Sequence, residues 1–260
     1  MLFKEIAIIG FGNVGSSLAK QFHLSGCPVE VIVCRNPEKK ATAQNYSKIV
    51  VSSVTQIPLT IQVCILAVSD NAIQSVAQLI PPRPDLTVLH LSGASPLEAL
   101  LPHTNAGVMW PLQTFTSGFA PDWKNIPLFL TADQTQALAA LQYLASFLSS
   151  KIHVIDEQQR QFLHIAAVFA NNFTNYMLTN AWEICQKHQL PFEVLLPMVN
   201  ELLVKAQTIA PINNQTGPAR RNDTQTLARQ ITILQKYHPE KVSLYQLISE
   251  KIVKTYFGND

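Results

Sequence analysis

The sequence predicts an α/β fold: a doubly wound parallel sheet over residues 1–153, followed by an all-α domain over residues 154–260. Three observations support this. In the first half, short β-branched runs alternate with amphipathic segments. Several of those runs are apolar on both faces, as strands of a helix-covered parallel sheet must be. After "KIHVID" the strand-like runs stop and long helical periodicities replace them.

In chain order, "EIAIIG", "VEVIVC", "QVCILAV", "LTVLHLS", "AGVMW" and "IPLFLT" read as strands. Between them, "GSSLAKQFHL", "NAIQSVAQLI" and "ALAALQYLASFL" carry apolar residues at helical spacing. Four helices follow, over residues 157–188, 192–209, 223–236 and 239–255, punctuated by turn signals at "QLPF", "APINNQTGPA" and "KYHPE". Two such domains create a cleft at their junction, where a small ligand is expected.

Composition narrows the partner. A hydrophobic content of 47% over 260 residues is enough for a substantial core. Nineteen basic residues against 17 acidic ones, with no dense basic run, lack the footprint of a nucleic-acid or membrane-surface binder, so a small molecule is expected. Cys27, Cys34, Cys64 and Cys185 lie far apart without metal-ligand spacing. Neither a zinc site nor a disulfide framework is expected, and a cytoplasmic location fits. The start "MLFKEIAIIGFG" has one Lys before a short apolar run and no cleavage site, and no apolar run reaches about 18 residues, so no targeting or membrane segment is expected.

"IAIIGFGNVGSSLA" sets Gly10, Gly12 and Gly15 in G-x-G-x-x-G spacing between an apolar strand and a helix rich in small residues. In that context the first Gly makes the tight turn, the second lets backbone approach a pyrophosphate, and the third permits close helix packing. The first domain is therefore of Rossmann type, with Gly10, Phe11, Gly12, Asn13, Val14 and Gly15 against the cofactor and free helix N–H groups toward its phosphates. Strand two ends in "VIVCRNPEKK". An NAD site would be expected to carry a carboxylate there; Arg35, with Asn36, Lys39 and Lys40 nearby, favours the 2'-phosphate of NADP(H). The plainer alternative is a solvated basic loop.

The ordered motifs "IIGFGNVG", "LAVSDNAI", "HLSGASPLEAL", "WPLQTF" and "GPARRND" resemble Rossmann-like proteins with a DUF2520 C-terminal domain. These are relatives of the pyrroline-5-carboxylate reductases, F420-dependent NADP reductases and β-hydroxyacid dehydrogenases. The resemblance implies an NADP-binding domain and a helical domain through which two copies form a homodimer. Family members commonly carry His before "PLQTF"; this chain has Trp110, so a role needing an imidazole there is not expected.

The resemblance also implies that the loop at Ala67, Val68 and Ser69 passes under the cofactor's ribose and nicotinamide end; Asp70 or Asn71 can instead cap the next helix. Ser92 should emerge at the carboxyl edge of the sheet, where open α/β sheets place their ligands. With Gly93 it resembles the Ser-Gly-Gly loop by which β-hydroxyacid dehydrogenases hold a carboxylate, a simple turn being the alternative. Gln113 of "WPLQTF" is assigned to the same substrate. His90, inside an apolar strand, reads as a core histidine. No G-x-S-x-G elbow supports a hydrolase.

On the first helix of the second domain, Asn171 and Asn175 each fall about 20° from His164 at 100° per residue, making a polar stripe. The β-hydroxyacid dehydrogenases carry a catalytic Lys-x-x-x-Asn on this helix; Val168 precedes Asn172 and Ala167 precedes Asn171 here, so that lysine is absent. His164 becomes the expected proton donor, with Ser92, Asn171 and Asn175 beside it, or else a hydrogen-bonded interface histidine. Near a helix N-terminus Arg220 and Arg221 are unfavourable unless an anion stands opposite, so they are expected to face an anionic substrate or to pair internally. The expected function is an NADP(H)-dependent oxidoreductase for a small, anionic carbonyl, imine or alcohol compound. The alternative is a non-catalytic NADP(H)-binding sensor or interaction protein.

Overall fold

The structure, a computed structural model, describes residues 5–258; residues 1–4, which open "MLFKEIAIIGFG", where no targeting segment is expected, lie outside them. Eight strands, β1 (Ile6–Ile9), β2 (Val29–Val33), β3 (Ile49–Val51), β4 (Val63–Leu66), β5 (Thr87–His90), β6 (Ala106–Pro111), β7 (Leu128–Thr131) and β8 (Ile152–Val154), form one sheet. Its order is β3-β2-β1-β4-β5-β6-β7-β8. The first six are mutually parallel, in the 3-2-1-4-5-6 order of a Rossmann sheet. β7 then pairs antiparallel with β6, and β8 runs parallel to β7. The reversal leaves the whole connection between β6 and β7 at the carboxyl end of β6.

Helices cover both faces. Ile6 and Ile8 of β1 join a cluster with Leu18 and Phe22 of α1 (Asn13–Leu24) and Leu141 and Leu144 of α4 (Thr135–Ser146). Ala7 and Ile9, alternating with them, join Ile73 and Ala77 of α3 (Ile73–Ala77) on the other face. Each large apolar side chain so buried contributes about 2 kcal/mol.

Two elements had no visible signal. β3 is an edge strand whose Ile49 is exposed, so its apolar run is short. The polar segment "PEKKATAQ" is α2 (Pro37–Gln44), started by Pro37 in its first turn and by the Asn36 side chain accepting from Glu38 N at 2.9 Å.

The chain divides into two compact units, Met1–Ala167 and Val168–Asp260. The division falls beyond the change of sequence pattern at 153/154, because the start of α5 (Glu157–Ala167) is fastened into the first unit: Arg160 is wholly buried and Glu157 accepts from Leu97 N. The helix expected to run unbroken from Glu157 to His188 is three segments: α5, a π-helical turn at Val168–Phe173, and α6 (Thr174–Lys187). A π-helical turn does not keep the 100° step, so the stripe of His164, Asn171 and Asn175 does not follow from simple periodicity.

α6, α7 (Leu196–Ala206), α8 (Thr224–Tyr237) and α9 (Val242–Phe257) make up the second unit. Among the described residues of these four helices only Cys185 is buried. No helix of the described residues is long and apolar enough to cross a membrane.

Candidate active site

The glycine turn follows β1 directly. Gly10 has φ +105°, a conformation side-chain-bearing residues rarely adopt, and a Cβ on Gly15 would overlap the Gly10 carbonyl oxygen. Those two glycines serve the close packing of α1 on β1 and β4. Gly12 is different: nothing lies within 4 Å of the place its Cβ would take. It is the helix cap of α1, and no side-chain cap takes the N–H groups of the first turn among the described residues.

A cavity of about 440 Å³ opens here, lined by Gly10, Phe11, Gly12, Arg35, Asn36, Ala67, Val68 and Ser69 among others. The carboxyl ends of β1, β2 and β4 thus converge, and eight of the eleven expected cofactor residues share one crevice. Asn13, Val14 and Gly15 continue from Gly12 as the first residues of α1. Lys39, Ser52 and Ser53 also line the crevice. The serines went unnoticed because nothing marked the strand before them. None of the lining residues is Asp or Glu.

Arg35 and Lys39 make no side-chain hydrogen bond or ion pair among the described residues, whereas Lys40 bonds Ser52 at 2.7 Å. Asn36 spends its side-chain oxygen on the α2 cap. Ser69 stands at the start of the short helix after β4 with no side-chain cap bond, so the capping expected of Asp70 or Asn71 does not occur; Asp70 lies inside that helix.

One strand over, β5 leads into Ser92 and Gly93. The Ser92 hydroxyl oxygen accepts from Ala94 N at 3.1 Å and Ser95 N at 2.9 Å, which leaves its proton to donate. Ser92 N donates to Nδ1 of His90 at 3.1 Å. His90 is wholly buried; burial, aided by the Arg160 charge and opposed by the Pro96 backbone, pushes its pKa down to about 4, so it is a neutral acceptor, and the core reading of it fits.

A Cβ on Gly93 would meet the Trp110 ring and, at 2.8 Å, Nδ1 of His164. Trp110 and His164 are edge-to-face at 5.6 Å, and Nδ1 of His164 is buried without a hydrogen-bond partner among the described residues. Ser92, Gly93, Trp110 and His164 are therefore neighbours. Arg160, which sequence reasoning missed, is bonded to the same turn: Nη1 donates to the carbonyls of Ser92 at 3.2 Å and Gly93 at 2.8 Å.

The remaining expected residues are not gathered in this way. The Gln113 side chain accepts from Thr114 N at 2.9 Å within its own exposed loop. Asn171 and Asn175 are exposed. In the second unit, Asp223 caps α8 through Thr226 N at 3.0 Å, a bond that, with smaller help from Arg221 and Arg229, holds its carboxyl below the usual range. Arg220 lies over the Tyr256 ring at 4.1 Å, and Arg221 is exposed. Neither arginine reaches salt-bridge distance of a carboxylate among the described residues, and the internal pairing of Arg221 is limited to its longer-range pull on Asp223.

Residues 5–90 match the family model described as NADP oxidoreductase coenzyme F420-dependent, and residues 126–252 match the domain of unknown function DUF2520. A Bacteroides fragilis protein named in its crystal structure as a candidate NADP oxidoreductase is 30% identical, with 97% of this chain and 99% of that one covered and a TM-score of 0.85. The chain belongs to the DUF2520 Rossmann-like family.

Two further structures share the fold of this DUF2520 protein. A reductive aminase from Aspergillus terreus, in complex with NADPH and ethyl levulinate, is 13% identical over 99% of this chain and 96% of its own, with a TM-score of 0.77. An imine reductase from Myxococcus stipitatus, in complex with NADP+, is 15% identical over 98% and 96%, with a TM-score of 0.68. The DUF2520 protein thus has an NAD(P)-binding oxidoreductase fold. No curated protein is similar enough to count as a match.

Proposed function

We propose that this DUF2520 protein is an NADP(H)-dependent oxidoreductase acting on a small, anionic carbonyl, imine or alcohol compound. The observation that carries the reading is the crevice beside Gly12, which holds two cations without a side-chain partner among the described residues, Arg35 and Lys39, and no carboxylate among its lining residues. A ribose 2'-OH calls for an acidic acceptor; a 2'-phosphate calls for this charge. The residues fit the cofactor. Gly10 to Gly15 would hold the pyrophosphate, with the space beyond Gly12 left for it; Arg35, Asn36 and Lys39 would hold the 2'-phosphate; Ala67, Val68 and Ser69 would lie along the ribose and nicotinamide end. When bound, the cofactor supplies or accepts the hydride.

The chain's own residues do the rest. The Ser92 hydroxyl donates its free proton to the substrate, and Gly93 brings backbone close to it. His164, its Nδ1 enclosed against Trp110 and Gly93, holds or releases the proton that balances hydride transfer. Arg221 and the Tyr256-stacked Arg220 are the proposed anion contacts of the second unit, and Gln113, Asn171 and Asn175 remain proposed substrate-side groups without an assigned step. The four buried, unpaired cysteines suit a reducing cytoplasm.

Calorimetry tests the reading. NADPH is expected to bind at least about tenfold more tightly than NADH, since charge-assisted hydrogen bonds contribute about 1.5–3 kcal/mol each. Arg35→Ala should erase most of that preference. An equal affinity for both nucleotides, or an unaltered Arg35→Ala protein, defeats the assignment.

We also propose that the partner is a second copy of the chain, joined through the helical unit. Phe169, Phe173, Trp182, Leu196, Met198 and Leu203 are all exposed there, an apolar surface that a monomer rarely leaves open. Sedimentation equilibrium should give twice the chain mass at micromolar concentration; a monomer at that concentration counts against the pairing.

A further inference from the structure

This inference rests on the reading that the Ser92–Gly93 turn faces the substrate, and it concerns what charges that turn from behind. Arg160 is 0% exposed. Besides its two bonds to the Ser92 and Gly93 carbonyls, its Nη2 is 3.3 Å from Glu157 Oε1, and the same oxygen accepts from Leu97 N at 3.1 Å. Its Nε is buried with no hydrogen-bond partner among the described residues.

As a device for stability alone this is poor. Burying a guanidinium costs several kcal/mol, its unpaired Nε a further ~1–3 kcal/mol, and an apolar side chain of similar volume would fold the segment as well or better.

What only a cation supplies is polarisation. The peptide joining Ser92 to Gly93 accepts from Arg160 at its carbonyl, and its other end, the Gly93 N–H, bonds nothing among the described residues. The next peptide accepts from Arg160 at the Gly93 carbonyl, and its N–H, on Ala94, donates to the Ser92 hydroxyl oxygen. A hydrogen bond accepted at one end of a peptide strengthens the donor at the other, and a hydroxyl whose oxygen accepts becomes a stronger donor itself. Both chains of polarisation start at Arg160 and end on a donor with no partner among the described residues: the N–H of buried Gly93 and the O–H of half-buried Ser92.

We propose that Arg160, braced by Glu157, is the positioning residue of an anion receptor made of the Gly93 N–H and the Ser92 hydroxyl, and that the receptor takes a carboxylate.

Malonate and its neutral diamide, malonamide, are the probes, titrated into the NADPH-saturated protein by calorimetry. Malonate is expected to bind the wild type and malonamide not. Arg160→Lys should keep affinity within about threefold. The pair Arg160→Met with Glu157→Gln, which leaves no carboxylate unmatched, should fold, bind NADPH as before and lose at least about tenfold in malonate affinity. A packing role would be served by methionine, so wild-type malonate affinity in the double variant overturns the inference. So does a lysine variant as weak as the methionine one, or a wild type blind to malonate. If the wild type takes no NADPH, the cofactor reading falls too, and that shows in the first titration, before any variant is made.

Discussion

Gly15→Ala is expected to destabilise the protein by more than about 3 kcal/mol and to abolish NADPH binding. The added methyl group would overlap the carbonyl oxygen of Gly10 and come within 3.2 Å of Ala67 Cβ. The worst collision is with backbone, so no rotamer change relieves it and α1 must lift from β1. Overpacking a close-packed interior costs about 1–3 kcal/mol where side chains can yield, and more where they cannot. The better helix propensity of alanine returns at most about 1 kcal/mol. Gly12→Ala supplies the contrast. With nothing within 4 Å of its Cβ, it should melt like the wild type, yet its methyl group enters the space assigned to the pyrophosphate and should weaken NADPH by a large factor. Thermal melts with and without NADPH separate the two cases. A Gly12→Ala protein that binds NADPH normally would mean the open space at the turn is not where the cofactor lies.

The second large effect is on acid stability. His90 is buried and neutral, with a pKa of about 4 against about 6.5 for an unfolded histidine. The unfolded chain therefore binds a proton that the folded one refuses across that interval. Stability is fully present above about pH 6.5, falls as pH drops toward 4, and falls no further on this account once both states are protonated. The difference is worth about 3 kcal/mol. Urea unfolding at pH 7 and pH 4.5 should reveal it, and His90→Asn should flatten the pH dependence relative to the wild type. Parallel losses in the two proteins would show that His90 is not the group responsible.

Much of the fold was legible because its causes are local. A strand apolar on both faces and a glycine spacing set between strand and helix each carry their geometry within a dozen residues. The crevice was legible for the same reason, since Gly10 to Gly12, Arg35 and Ala67 to Ser69 all end or follow strands of one sheet edge. What escaped depends on partners far along the chain. Arg160 matters through Ser92, 68 residues earlier, and nothing about its own neighbours announces that. The reversal of β7 is set by which strand it meets, and its own residues do not encode a direction. "VFANNF" has no glycine or proline to warn of a π-helical turn, so a uniform 100° step looked safe across it. The arginine pair stood out because cations near a helix start are unfavourable without a partner. For Arg220, the structure supplies an aromatic face, 36 positions downstream, as one companion.

The antiparallel seventh strand has one more effect. Had the connection after β6 been a crossover to a parallel neighbour, it would have left the ligand edge for the opposite rim of the sheet. As a reversal, the span from Leu112 to Pro127 stays beside the glycine turn, where Asn13 donates to the Phe115 carbonyl at 3.2 Å and Trp123 to the Ser17 hydroxyl at 3.0 Å. Lengthening or trimming that span changes a surface loop packed on the start of α1 and leaves the strands themselves untouched, the kind of segment in which a scaffold most readily tolerates change.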